Sequence, residues 1–236
     1  MMKSPEFSKL RRSSRDLAVA LTGLALVGCA STSPDVSAEQ EVEKYPSHEV
    51  VATVYWAGEP PTEENGYISN LESEWSSDTV ADIGGVDEPE GRNFEPLHNP
   101  YYFAVPAMEF TEEGLIEGAY DHAPWDVNTI EDGESLFRGR WAEVQANGKV
   151  VYAQWHDVGP CVNEQPECFL NYGYVFGTEQ PINTFGEKAG IDLSPDAAKA
   201  LGIEGSGSVE WKFVDEEDVP VGEWSMYPPI TNKTNW

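Results

Sequence analysis

The stretch from Gly190 to Val214 constrains the fold more than any other part of the chain. Ile191-Asp192-Leu193 reads as a short extended segment. Ser194 follows as a helix N-cap, with Pro195 at the first helical position and Asp196 in the first turn. Ala197 to Leu201 continue the helix and Gly202 ends it. After Gly205-Ser206-Gly207 the pattern changes to period two, with Val209, Trp211 and Phe213 on one face and Ser208, Glu210 and Lys212 on the other. Asp192 is thereby placed at the end of a strand, immediately before a tight helix.

The remaining signals are mostly those of short strands. Leu136 to Ala146 and Lys149 to Asp157 are joined by Asn147-Gly148, a pair that supplies the positive φ angles of a type I′ hairpin turn. Along the second arm, Val151, Ala153, Trp155 and Asp157 should share one face, and Tyr152, Gln154 and His156 the other. Val50 to Ala57 predicts the first strand, ended by Gly58-Glu59-Pro60-Pro61, and Tyr101 to Pro106 predicts a second. The segment between them, through Pro96, carries many turn residues and reads as a long elaborated loop, a kind of element that often carries function. Tyr172 to Gly177 is a further aromatic segment. Short strands, one clear hairpin and one short helix predict an all-β domain, a small barrel with long insertions over residues 50–224, followed by a tail, 225–236.

The N-terminus carries an export signal over residues 1–28. Lys3, Lys9, Arg11, Arg12 and Arg15 form its basic region, and Leu17 to Val27 an apolar region too short to span a bilayer comfortably. Leu26-Val27-Gly28-Cys29 looks like a bacterial lipobox, which implies lipid on Cys29 and a bacterial cell-envelope location, with the membrane reached through that anchor only. Residues 29–49 hold few large apolar side chains and predict a flexible tether. Five of the 14 basic and two of the 42 acidic residues precede Cys29, which leaves a net charge of −31 from there on. Such a surface repels nucleic acid and anionic membrane faces. The run Asp215-Glu216-Glu217-Asp218 lacks the spaced ligands of a calcium loop and reads as a solvated face. Cys161 and Cys168, seven apart in an exported chain, are expected to form a disulfide. His156 is the one histidine near them and the spacing fits no zinc pattern, so neither a metal nor another cofactor is expected.

The Gly190–Val214 segment resembles the last third of the double-psi β-barrel domain of the rare lipoprotein A family, in which an aspartate-leucine-serine run precedes a short alanine-rich helix and a final strand. Expansins and the membrane-bound lytic transglycosylase A family share that barrel and an aspartate at this point. His156-Asp157-Val158-Gly159-Pro160 is similar to the family's asparagine-aspartate-x-glycine-proline turn. Together the two matches cover about the last third of the chain. The resemblance implies a six-stranded double-psi β-barrel with one or two short helices, and a groove across it that holds peptidoglycan or another polysaccharide.

Sugar recognition needs aromatic platforms and carboxylates near the glycosidic oxygen. Tyr55, Trp56, Trp155 and Tyr174 are the platform candidates, with His156 as a donor to a sugar hydroxyl. Asp192 is the first catalytic candidate, since the resemblance assigns an aspartate there the role of general acid and then base. Capping the following turn is its alternative role. Asp157 is the second candidate, with a turn-holding role equally open to it. One departure matters: where the family carries an alanine-histidine-x-threonine-leucine-proline run, this chain has Tyr102-Phe103-Ala104-Val105-Pro106, with Tyr102 at the histidine position. Glu59 and Glu109 are the available substitutes. Three readings stay open on the sequence: a glycan-binding module without turnover, a peptidoglycan lytic transglycosylase using Asp192, and a structural envelope lipoprotein that binds another protein.

Overall fold

The computed structural model describes residues 44 to 235, apart from 64, 91, 92 and 163. The expected export signal, Cys29 and residues 30–43 of the expected tether lie outside the described residues. Six of the strands among the described residues build the barrel: β1 (His48–Val54), β2 (Tyr102–Ala104), β3 (Trp141–Ala146), β4 (Lys149–Asp157), β5 (Ile191–Leu193) and β6 (Ser206–Val214). They close into one barrel in the order β1, β6, β3, β4, β2, β5. Two of the six pairings are parallel, β1 with β5 and β2 with β4, and the other four are antiparallel. Exchanging the first three strands for the last three leaves this scheme unchanged. That internal twofold, with two interlocked parallel pairs, is the double-psi barrel. Three short helices accompany it: α1 (Thr79–Ile83), α2 (Tyr172–Val175) and α3 (Pro195–Leu201).

The local signals explain most of these elements. Asn147 and Gly148 have φ of 53° and 72°, and the register runs from Ala146 opposite Lys149 to Trp141 opposite Gln154. Ser194 caps α3 by accepting a hydrogen bond from Ala197 N at 3.3 Å, and Gly202 ends it in the left-handed region at φ 75°. Val209, Trp211 and Phe213 of β6 all point inward and are buried. They pack with Phe103, Trp155, Ile191 and Leu193 to fill the barrel. β3 starts at Trp141, later than the expected Leu136. The chain turns at Gly139 (φ 80°), where a Cβ would meet Ile230 O at 2.6 Å, and Leu136 and Phe137 drop into the core instead.

The expected end segments need correcting. Tyr45 and His48, placed in the tether, are packed: the Tyr45 hydroxyl donates to Asp215 at 2.6 Å, and His48 pairs with Trp211 in β1. The aromatic ring at 45 covers Phe213 at the barrel end, which the polar composition around it concealed. The expected tail is a strap. Ile230 is buried and exchanges two hydrogen bonds with the Gln154 side chain, both 2.9 Å, while Asn235 N donates to Trp75 O at 2.7 Å. This strap covers β4 at Gln154, and from Ala153 to Asp157 every residue of the strand is buried.

Candidate functional site

Four neighbouring strands put one row of side chains on the outside of the barrel. Asp157 (β4) is paired with Ala104 (β2), Ala104 with Asp192 (β5), and Asp192 with Thr53 (β1). All four line one groove of about 1190 Å³. A wall of this groove comes from the long segment after β1, through Glu59, Asn70, Glu74, Val86 and Glu88.

Asp157 reaches this face because of an irregularity in β4. Phe103 pairs with Trp155, but the next β2 residue, Ala104, pairs with Asp157, so two steps on β4 match one on β2. The extra residue is His156, and such a bulge interrupts the alternation. Asp157 therefore does not share the inward face of Val151, Ala153 and Trp155 as period two predicts. The Trp155 indole donates to Asp157 O at 2.8 Å and holds the bulge from inside.

Both aspartates are charged only at a cost. Asp192 Oδ1 accepts from the Thr53 hydroxyl. Burial pushes its carboxyl up to about 7, against the lowering effect of that hydrogen bond. Burial likewise raises Asp157 to about 7, although its Oδ1 accepts from Val158 N at 2.7 Å and Glu74 N at 3.3 Å. Asp157 thus has the local turn-holding task and a place in the groove together. The two segments of the sequence resemblance meet here: a Cβ on Gly159 would lie 3.2 Å from Asp192 Oδ2, so the turn after Asp157 packs directly against the second aspartate.

Two further carboxyls belong to the groove. Glu59 accepts from the Asn70 amide at 2.7 Å, and burial raises its pKa. Glu74, which no sequence signal marked, is raised by burial to about 8 and accepts from Glu109 N at 3.0 Å. Glu109 itself is not available: it is buried and takes hydrogen bonds from the Trp75 indole, Leu136 N and the Ser135 and Tyr120 hydroxyls.

Of the expected platforms, Tyr55 and Trp56 line the groove and the others do not. Trp155 is fully buried, stacked on Phe137 with ring centroids 5.0 Å apart and planes 5° apart. Tyr174 is a core residue whose hydroxyl donates to Gly190 O and accepts from the Trp211 indole, both at 3.0 Å. His156 is buried beside Tyr102, its Nε2 3.6 Å from the Asp82 carboxylate that also pairs with Arg138, and burial lowers its pKa. It cannot donate to a sugar in the groove. Large aromatics fill a barrel this size before they decorate it, which is why composition alone misplaced them. Cys161 and Cys168 form the expected disulfide, with Cα atoms 5.7 Å apart, and Cys161 borders the groove.

No family model matches the chain, and no curated protein matches it. Among solved structures it is similar to the apo expansin of Clavibacter michiganensis, at 15% identity and a TM-score of 0.30, over 75% of this chain and 53% of that one. A mutant of the same expansin in complex with cellohexaose gives 14% identity and a TM-score of 0.32 over the same shares. The Streptomyces papain inhibitor gives 15% and 0.31, over 72% of this chain and 96% of its own. The chain thus spans about half the length of the expansins it matches.

Proposed function

We propose that this chain is a cell-envelope lipoprotein, anchored through lipid on Cys29, whose barrel groove binds an extended polysaccharide, with peptidoglycan the first substrate to test. The observation that carries the reading is the row Asp157–Ala104–Asp192–Thr53 along the floor of an open groove with Tyr55 and Trp56 beside it. The Trp56 face suits a sugar ring, and a carboxyl held near 7 is partly protonated near neutral pH and can give that proton to a glycosidic oxygen. Asp192 is the acid in this reading, since it lies at the middle of the row and its second oxygen faces the Gly159 turn.

The test is incubation of the lipid-free domain with peptidoglycan sacculi, scoring pelleting and released anhydro-muropeptides separately. Pelleting with release that is lost in Asp192→Asn supports a lytic transglycosylase. Pelleting without release supports a binding module. Absence of binding to sacculi and to neutral polysaccharides overturns the glycan reading and leaves a structural lipoprotein that binds another protein. The anchor is tested separately: labelled fatty acid should enter the full chain and not its Cys29→Ser variant.

A further inference from the structure

The groove carries a charge pattern that narrows what can lie in it. Among the described residues that line it are six carboxyl groups, of Glu59, Glu72, Glu74, Glu88, Asp157 and Asp192, and no lysine, arginine or histidine. The second observation is a hydroxyl. Tyr55 is 6% exposed and lines the same groove, and burial first, then the nearby Asp157 and Asp192, raise its pKa. Its oxygen is buried and has no hydrogen-bond partner among the described residues. A buried phenol left this way has lost its hydration without replacement, and a ligand donor would restore it.

We infer that the groove selects a polysaccharide bearing free amines, a de-N-acetylated amino-sugar polymer, over its neutral and anionic counterparts. This rests on the glycan reading above and adds the class of sugar. An ammonium arriving beside Asp192 or Asp157 draws that carboxyl into its ionised form and pairs with it, and an adjoining donor meets the Tyr55 oxygen. Trp56 takes the apolar face of the ring. A polyanion meets only like charge, so the groove discriminates by repulsion as well as attraction. A neutral chain gains the ring contacts and hydrogen bonds but not the ion pairs. The high acidity of the whole surface would attract any polycation weakly, so the claim concerns the groove and is tested there.

The probes are a glucosamine hexamer, the N-acetylglucosamine hexamer, cellohexaose and an oligolysine of similar charge, titrated calorimetrically at about pH 6.5. The glucosamine hexamer should bind about tenfold more tightly than its acetylated form, and the preference should shrink as salt is raised. Glu59→Gln combined with Asp192→Asn should abolish the preference, leaving the glucosamine hexamer no tighter than its acetylated form. Glu216→Gln with Glu217→Gln, both exposed and outside the groove, should leave it unchanged. Tyr55→Phe, which alters no charge, should weaken the glucosamine hexamer several-fold. Equal binding of all sugars overturns the amine preference and leaves the glycan reading standing. Oligolysine binding as tightly as the amino sugar, or a preference unchanged in the groove variant, also overturns it. Binding of no sugar at all removes the glycan reading and this inference with it.

Discussion

Asp157 and Asp192 stand on either side of Ala104, each one strand away from it, so their Cα atoms are about 10 Å apart across the barrel wall. One comes from the end of a hairpin arm and the other from the strand before a capped helix. Nothing local to either segment requires the other. The barrel closure brings them into one groove.

Asp192 should therefore be separable from the fold. Asp192→Asn keeps an oxygen to accept from Thr53 and should leave the unfolding midpoint at pH 5 within about 1 kcal/mol of wild type. If sacculi are cleaved, that variant should lose at least about a hundredfold in release with binding retained. Equal release rates would remove Asp192 from the chemistry.

The same residue sets a pH dependence. Burial holds Asp157 and Asp192 at about 7, against an ordinary value of 3.8. A carboxyl with a raised native pKa binds its proton more tightly folded than unfolded. Its stabilising contribution is full below about pH 4 and is lost as pH climbs through 7. Stability should fall over that window more steeply in wild type than in Asp192→Asn, and by pH 8 the variant should be more stable by about 1–3 kcal/mol. Parallel pH profiles from thermal melts would contradict the burial assigned here.

Trp155 and Trp56 should behave oppositely. Trp155→Ala empties the barrel centre beneath Phe137 and should cost about 3–5 kcal/mol in denaturant unfolding, with no specific effect on a folded remainder. Trp56→Ala is half-buried at the groove and should cost little stability but about tenfold in glycan affinity. Loss of affinity in a folded Trp155→Phe variant comparable to that in Trp56→Ala would restore the platform role.

The disulfide should stabilise the turn that borders the groove. Replacing both Cys161 and Cys168 by serine opens a short loop and should lower stability by about 2 kcal/mol, read as a lower denaturant midpoint at constant slope. An unchanged midpoint would show that the flanking packing alone holds the loop.

Where sequence signals were local, they were legible. The Asn147-Gly148 turn, the Ser194 cap with Pro195 behind it, and the inward face of Val209, Trp211 and Phe213 each depend on a few adjacent residues and are found as expected. Asp157 and Asp192 were marked by the turn and the helix that follow them. What could not be read was set by distant partners. Gln154 binds Ile230 far along the chain, so the strap had no local trace. Trp155 and Tyr174 belong to the core because other rings surround them, and Glu74 belongs to the groove because a loop returns over the barrel.

The extra residue at His156 gives the acidic pair an unusual kind of dependence. Which side of a wall a strand residue faces is a matter of counting, and an added residue changes the count for everything after it. Were β2 and β4 paired regularly here, with Ala104 opposite His156, the same aspartate would turn among the rings of the core, where it would be a folding liability instead of a reagent. The second acid of the groove is thus encoded as a length, and two chains with an aspartate in the same column can differ in whether it ever meets a ligand.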